Sequence, residues 1–110
     1  MQTVAEMPLF TKQAADLFDD EEKEDIIDLL SVDPECGDII PGTGGVRKVR
    51  FALPGRGKRG GARVVYYYLD DTIPLLALAV YAKNKKIDLS PDEKKAMMKL
   101  TAAIKAAARR

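Results

Sequence analysis

Three cations near the middle of the chain have the types and spacing to hold a phosphodiester. Lys48 and Arg50 alternate along Val46–Leu53, a run with strand character, so they project from one face about 7 Å apart. Arg47, Val49, Phe51 and Leu53 take the other face, mostly apolar and suited to a core. Arg63 sits in the next strand-like run and joins Lys48 and Arg50 if the two runs pair as a hairpin. Arginine offers a planar fork of donors and lysine a point charge, and both suit phosphate oxygens. The connecting hairpin tip adds Arg56, Lys58 and Arg59, while Lys83 and Asn84 end a third apolar run beside Tyr81. Tyr66, Tyr67, Tyr68 and Tyr81 fall in adjacent strands, where an exposed ring could stack on a base. Strand alternation also requires one or two of these rings to be core.

Charge distribution supports an anionic partner. The formal net charge is only +1, yet residues 1–38 hold two basic and twelve acidic side chains. Residues 39–69 hold seven basic and none acidic, and residues 70–110 hold nine basic and five acidic. Solvated strand charge is the ordinary explanation for basic residues on a sheet. It is weakened here because no local acid neutralises the seven cations, and flanking glycines let backbone approach a ligand closely.

Several chemistries are excluded or disfavoured. The sequence has no histidine, so neither a His-based nucleolytic mechanism nor a Ser-His-Asp triad is available. With one cysteine, Cys36, no internal disulfide forms, and transition-metal binding is not expected. No cofactor is expected either. Gly57-Lys58 is followed by Arg59 where a phosphate loop needs Ser or Thr, and Gly42-Thr43-Gly44-Gly45 precedes a strand rather than a helix. No apolar run approaches the ~20 residues that span a bilayer. The first ten residues lack signal-peptide character, which points to a cytoplasmic protein without membrane contact.

The elements that must position these cations follow from periodicity. One hundred and ten residues suit one domain, 1–110. Gln2–Glu6 reads as a short strand, and Leu9–Phe18 as a helix with Phe10, Ala14, Leu17 and Phe18 on one face. Asp19-Asp20-Glu21-Glu22 opens a second helix, which Asp33-Pro34 ends. Gly37–Gly45 reads as a loop. Strands follow at about Val46–Leu53, Ala62–Leu69 and Ile73–Ala82, the last apolar on both faces and therefore internal, with Pro74 at its start. Ser90-Pro91-Asp92-Glu93 is a capping box with proline at the first helical position, and Met97, Leu100, Ile104 and Ala108 continue a C-terminal helix. The class is α+β, an antiparallel sheet packed by two N-terminal helices and a C-terminal one.

Three stretches together resemble HigB toxins, a branch of the RelE superfamily. They are Gly37–Arg50, with its Gly42-Thr43-Gly44-Gly45-Val46-Arg47-Lys48 centre, then Gly57–Tyr67, then Tyr81-Ala82-Lys83-Asn84 leading to Asp88-Leu89-Ser90. The resemblance implies a RelE-like microbial-RNase-type fold and a metal-independent endoribonuclease that cuts messenger RNA in the ribosomal A site. It also implies a cognate antitoxin, with a helix-turn-helix DNA-binding domain, that silences it. By similarity the basic pair of the active site falls on Lys48 and Arg50, the following arginine on Arg63, and a further position on Lys83 or Asn84. In such a reaction Arg63 stabilises charge on the phosphoryl oxygens and Arg50 positions the phosphate. Lys48, crowded by Arg47, Arg50 and Arg63, is the candidate general base. Lys83 either neutralises the leaving oxygen or simply binds RNA. Arg47, Arg56, Lys58, Arg59, Tyr66, Tyr81 and Asn84 are the candidate RNA contacts. Two alternatives stay open on the sequence: a non-catalytic RNA- or ribosome-binding module, and a regulatory subunit whose charges serve a protein partner.

Overall fold

The computed structural model describes residues 2–52, 61–82 and 89–109. Over them the chain forms β1 (Val4–Glu6), α1 (Pro8–Leu17), α2 (Asp20–Val32), β2 (Asp38–Ile39), β3 (Arg47–Ala52), β4 (Gly61–Tyr67), β5 (Leu75–Ala82) and α3 (Pro91–Ala108). The class is α+β, as the sequence implies.

Helix starts are built as the capping residues require. The Asp19 carboxylate accepts the Glu22 N–H at 2.7 Å, and the Glu22 carboxylate accepts the Asp19 N–H at 2.9 Å. Ser90 and Glu93 repeat the reciprocal pair at the start of α3. Each box satisfies two donors that a helix terminus otherwise leaves unpaired.

The strand order is β1-β5-β4-β3-β2. The four strands from β2 to β5 pair antiparallel, but β1 runs parallel to β5, with Val4 opposite Leu75 and Glu6 opposite Ala77. The sheet is therefore mixed, where the sequence suggests an antiparallel one. No hairpin ties β1 to β5, so its direction is set by the chain turning at Met7 straight into α1, which packs back over β5. A second difference is β2, two residues of strand within the segment read as loop.

Helices pack on both sheet faces. On one, Phe10 and Ala14 of α1 and Ile26 and Leu30 of α2 pack on Val64, Tyr66 and Val80. On the other, Met97, Leu100 and Ile104 of α3 pack on Val46, Val65 and Tyr67. Each fully buried Phe, Ile, Leu or Val side chain among these contributes roughly 1.5–3 kcal/mol. β5, internal and buried toward both layers, is the covered strand its composition requires.

Two local devices shape the sheet edge and the α3 side. Val65 pairs with Ala79 but Tyr66 with Ala77, so Leu78 is an extra residue on β5. This bulge keeps Leu78 and Ala79 on the α3 side and returns Tyr81 to that side as well. The second device is the turn from β2 to β3. Thr43, fully buried, donates through Oγ1 to the Ile40 carbonyl at 2.6 Å and accepts the Val46 N–H at 3.1 Å. Thr101 of α3 then donates to the Thr43 carbonyl at 3.0 Å, and Lys105 Nζ to the Gly44 carbonyl at 2.9 Å. Gly44 itself adopts φ 79, in the left-handed region.

Candidate functional site

The strand register brings the central cations together. Arg50 of β3 stands directly opposite Arg63 of β4, and Arg63 directly opposite Tyr81 of β5. The three form a row across the sheet on the α3 side, beyond the Val65–Tyr67 end that α3 covers. Directly opposed residues have Cβ atoms roughly 4.5–5.5 Å apart. Lys48, two residues before Arg50 on the same face, is opposite Val65 on β4 and Asp38 on β2. Lys48, Arg50, Arg63 and Tyr81 are thus neighbours, with one carboxylate, Asp38, at the edge of the group.

The electrostatics of the row invite an anion. Like charges directly opposite on a sheet are unfavourable, and among the described residues neither Arg50 nor Arg63 has a carboxylate within ion-pair distance. Arg63 Nε is buried without a hydrogen-bond partner among those residues. An unpaired buried donor costs about 1–3 kcal/mol. A phosphate oxygen over the row would offset both penalties at once. Arg50, exposed, leaves the row open to solvent.

Other candidates lie elsewhere. Arg47 points to the α1/α2 side, as strand alternation demands. Its guanidinium donates to the Gly37 carbonyl at 2.8 Å and lies 3.5 Å from the Glu35 carboxylate, with the side chain 17% exposed. It is a clasp on the chain leading into β2 and does not face the row. Tyr66, a candidate for base stacking, is fully buried on that same side and accepts the Gly37 N–H at 2.8 Å. Its ring has no free face, because odd and even residues of β4 divide between the two layers and Tyr66 falls opposite Arg47. Tyr67 is buried under α3, and Tyr68 donates to Asp71 at 2.7 Å beyond the strand. Tyr81 remains: half-buried, with its hydroxyl enclosed, on the cationic face. Arg56, Lys58, Arg59, Lys83 and Asn84 lie outside the described residues.

Tyr66 gives the first test. Burial pushes its phenol well above the ordinary tyrosine range. A raised native value means that the stability it supports is complete below the unfolded value, about 10. That stability is lost as pH rises beyond it toward the native value. Tyr66→Phe leaves the Gly37 N–H without its acceptor and is expected to lose about 1–3 kcal/mol at neutral pH. It is also expected to lose less further stability than the wild type at strongly alkaline pH. Urea titrations at both pH values check this; an unchanged neutral midpoint would show that the Gly37 contact holds nothing.

Asp38 is the site residue that sequence reasoning missed. It closes the acidic N-terminal segment, and a two-residue strand carries no periodicity that would reveal its register. Among the described residues no cluster of His, Cys, Asp or Glu has the arrangement to hold a metal ion, and no helix is long and apolar enough to cross a membrane. Residues 38–110 match a protein-family model described as the RelE toxin of the RelE/RelB toxin–antitoxin system. The match covers well over half of the chain and takes in every strand from β2 to β5.

Proposed function

Because the chain belongs to the RelE toxin family, the toxin side of a toxin–antitoxin system, we propose that it is a ribosome-dependent endoribonuclease that cleaves messenger RNA. The observation that carries this reading is the opposed Arg50–Arg63 pair beside Lys48 and Tyr81 on an open sheet face. The reaction is attack of a ribose 2′-hydroxyl on the adjacent phosphate, with release of the 5′-oxygen. Arg63 stabilises the charge that builds on the phosphoryl oxygens, and arginine keeps its own charge at every relevant pH. Arg50 positions the phosphate, Lys48 takes part in proton transfer, and Tyr81 offers its ring to a neighbouring base. Arg56, Lys58 and Arg59 add phosphate contacts, and Lys83 with Asn84 acts at the leaving side. Such a site relies on alignment and charge, so a ribosome that holds the message in its A site supplies much of the missing orientation. The proposed setting is the cytoplasm, and the proposed antitoxin carries a helix-turn-helix DNA-binding domain.

The test is cleavage of messenger RNA by the purified protein in a reconstituted translation mixture, with and without ribosomes. Cuts only with ribosomes are expected. Ribosome binding without cuts would replace this reading with a non-catalytic binding module. In the same system Arg50→Ala is expected to weaken binding about tenfold or more, the range for losing a charged hydrogen-bond donor. It should also lower the slope of log affinity against log salt by about 1. An unchanged slope would take Arg50 off the phosphate.

A further inference from the structure

Asp38 occupies a position that an exposed edge residue would not ordinarily need held. Its strand has two residues, yet both flanks are fixed. On one side, Gly37 donates its N–H to Tyr66 Oη at 2.8 Å and its carbonyl accepts from Arg47 at 2.8 Å. There is no room there for a side chain: a Cβ on Gly37 would sit 2.7 Å from the Lys48 carbonyl and 2.9 Å from Tyr66 Oη. On the other side, Ile40 is buried and donates its N–H to the Val46 carbonyl at 2.8 Å. Between these anchors Asp38 is exposed, directly across from Lys48 and one diagonal step from Arg50. Diagonal neighbours on a sheet are roughly 7–8 Å apart, within reach of long side chains and of one nucleotide laid over them.

We propose that Asp38 is a catalytic residue of this site, the proton acceptor for the attacking ribose 2′-hydroxyl. The inference rests on the nuclease reading and assigns one of its open roles. The sequence offers Lys48 for that role because Arg47, Arg50 and Arg63 crowd it. The fold removes Arg47 to the opposite layer and sets a carboxylate opposite Lys48 instead. With a carboxylate standing opposite to take a proton, Lys48 is the neighbouring group with N–H donors to give one. The balanced step is then complete with these two groups. The Asp38 carboxylate takes the 2′-hydroxyl proton, and the 2′-oxygen bonds to phosphorus. The bond from phosphorus to the 5′-oxygen breaks, and that oxygen takes a proton from the Lys48 ammonium. A 2′,3′-cyclic phosphate and a 5′-hydroxyl result, and both side chains recover through water.

From β3, the strand paired with β2, the charged groups on Asp38's side are Lys48 and Arg50; Arg47 and Glu35 engage each other on the opposite side. The experiment is the single-turnover cleavage rate on ribosomes against pH for the wild type, Asp38→Asn, Asp38→Glu and Arg63→Ala, with ribosome affinity and thermal midpoint recorded for each. Asp38→Asn keeps the shape of an exposed side chain. It is expected to stay folded, bind ribosomes as the wild type does, and lose about a hundredfold in rate or more. Its residual rate should lack the fall on the acid side that the wild type and Asp38→Glu show. Cleavage by Asp38→Asn within about threefold of wild type, with Arg63→Ala inactive, would overturn the role of Asp38 and leave the nuclease reading standing. Loss of ribosome affinity in step with rate would also overturn it, as a binding role. No cleavage by the wild type would overturn the nuclease reading and this assignment together.

Discussion

Arg63→Ala is expected to lower ribosome-dependent cleavage by about 10²–10³-fold or more, the range for removing one preorganised donor from a developing oxyanion, while the protein stays folded. Arg63 is in the centre of the row, on β4, flanked by Arg50 on one side and Tyr81 on the other. It has a cation directly opposite it on a neighbouring strand, and its Nε is a buried donor without a hydrogen-bond partner among the described residues. Both features are unfavourable in the free protein, and a phosphate bound there would relieve both. The sign of the stability change is a second, independent expectation. Removing Arg63 takes away a like-charge opposition and an orphaned donor, so stability should stay within about 0.5 kcal/mol of wild type or rise. A residue held for packing alone would show the reverse, a falling midpoint with cleavage falling in proportion. Arg63→Lys separates charge from geometry: it keeps the cation but loses the planar fork, and intermediate activity is expected. Cleavage retained by a folded Arg63→Ala protein would remove Arg63 from the chemistry.

How far the sequence reveals this site depends on which physical signal each residue carries. Alternation along β3 is enough to put Lys48 and Arg50 on one face and Val49 and Phe51 on the other, because the side-chain period of a strand is two whatever lies beside it. Capping residues likewise mark α2 and α3 from local chemistry alone. Neighbours are a different matter. Periodicity says which face a residue takes but not what stands across from it, so the pairing of Arg50 with Arg63 needs the hairpin register. Tyr81 shows the limit most clearly. Strict alternation from Leu76 would turn Tyr81 away from Arg63; the extra residue Leu78 reverses that, and nothing in an all-apolar run announces a bulge. Tyr66 misleads for a related reason. Four tyrosines in adjacent strands offer four rings, but only the layer against α1 and α2 decides that Tyr66 is sealed inside. Arg47 also looks like one cation among several until its partner, the Gly37 carbonyl, is brought beside it.

Gly44→Ala is expected to be the most damaging substitution in the turn that carries β2, lowering stability by about 3 kcal/mol, near the upper end for single changes. Two costs combine. The residue holds φ 79, where an L side chain is disfavoured by roughly 1–2 kcal/mol. A Cβ built there would also land on Thr101 Oγ1, with Met98 Sδ 3.2 Å away. Thr101 is 1% exposed on the inner side of α3 and has no space to retreat. The turn must therefore lift from the helix, and the bonds from Thr101 to the Thr43 carbonyl and from Lys105 to the Gly44 carbonyl weaken with it, each worth about 1 kcal/mol. The damage should be directional. β3, β4 and β5 keep their long ladders, whereas Ile40 and the two-residue strand before it depend on this turn for one of their two anchors. Amide exchange at Ile40 should accelerate more than exchange at Val64 in the middle of β4, and the urea midpoint should fall. Because the clash is with one side chain, Thr101→Ala in the same protein should recover part of the loss, a coupling that independent sites would not show. Uniform acceleration at Ile40 and Val64 would mean that the turn is part of the global unfolding unit. In that case the edge that presents Asp38 would not be a separately anchored element.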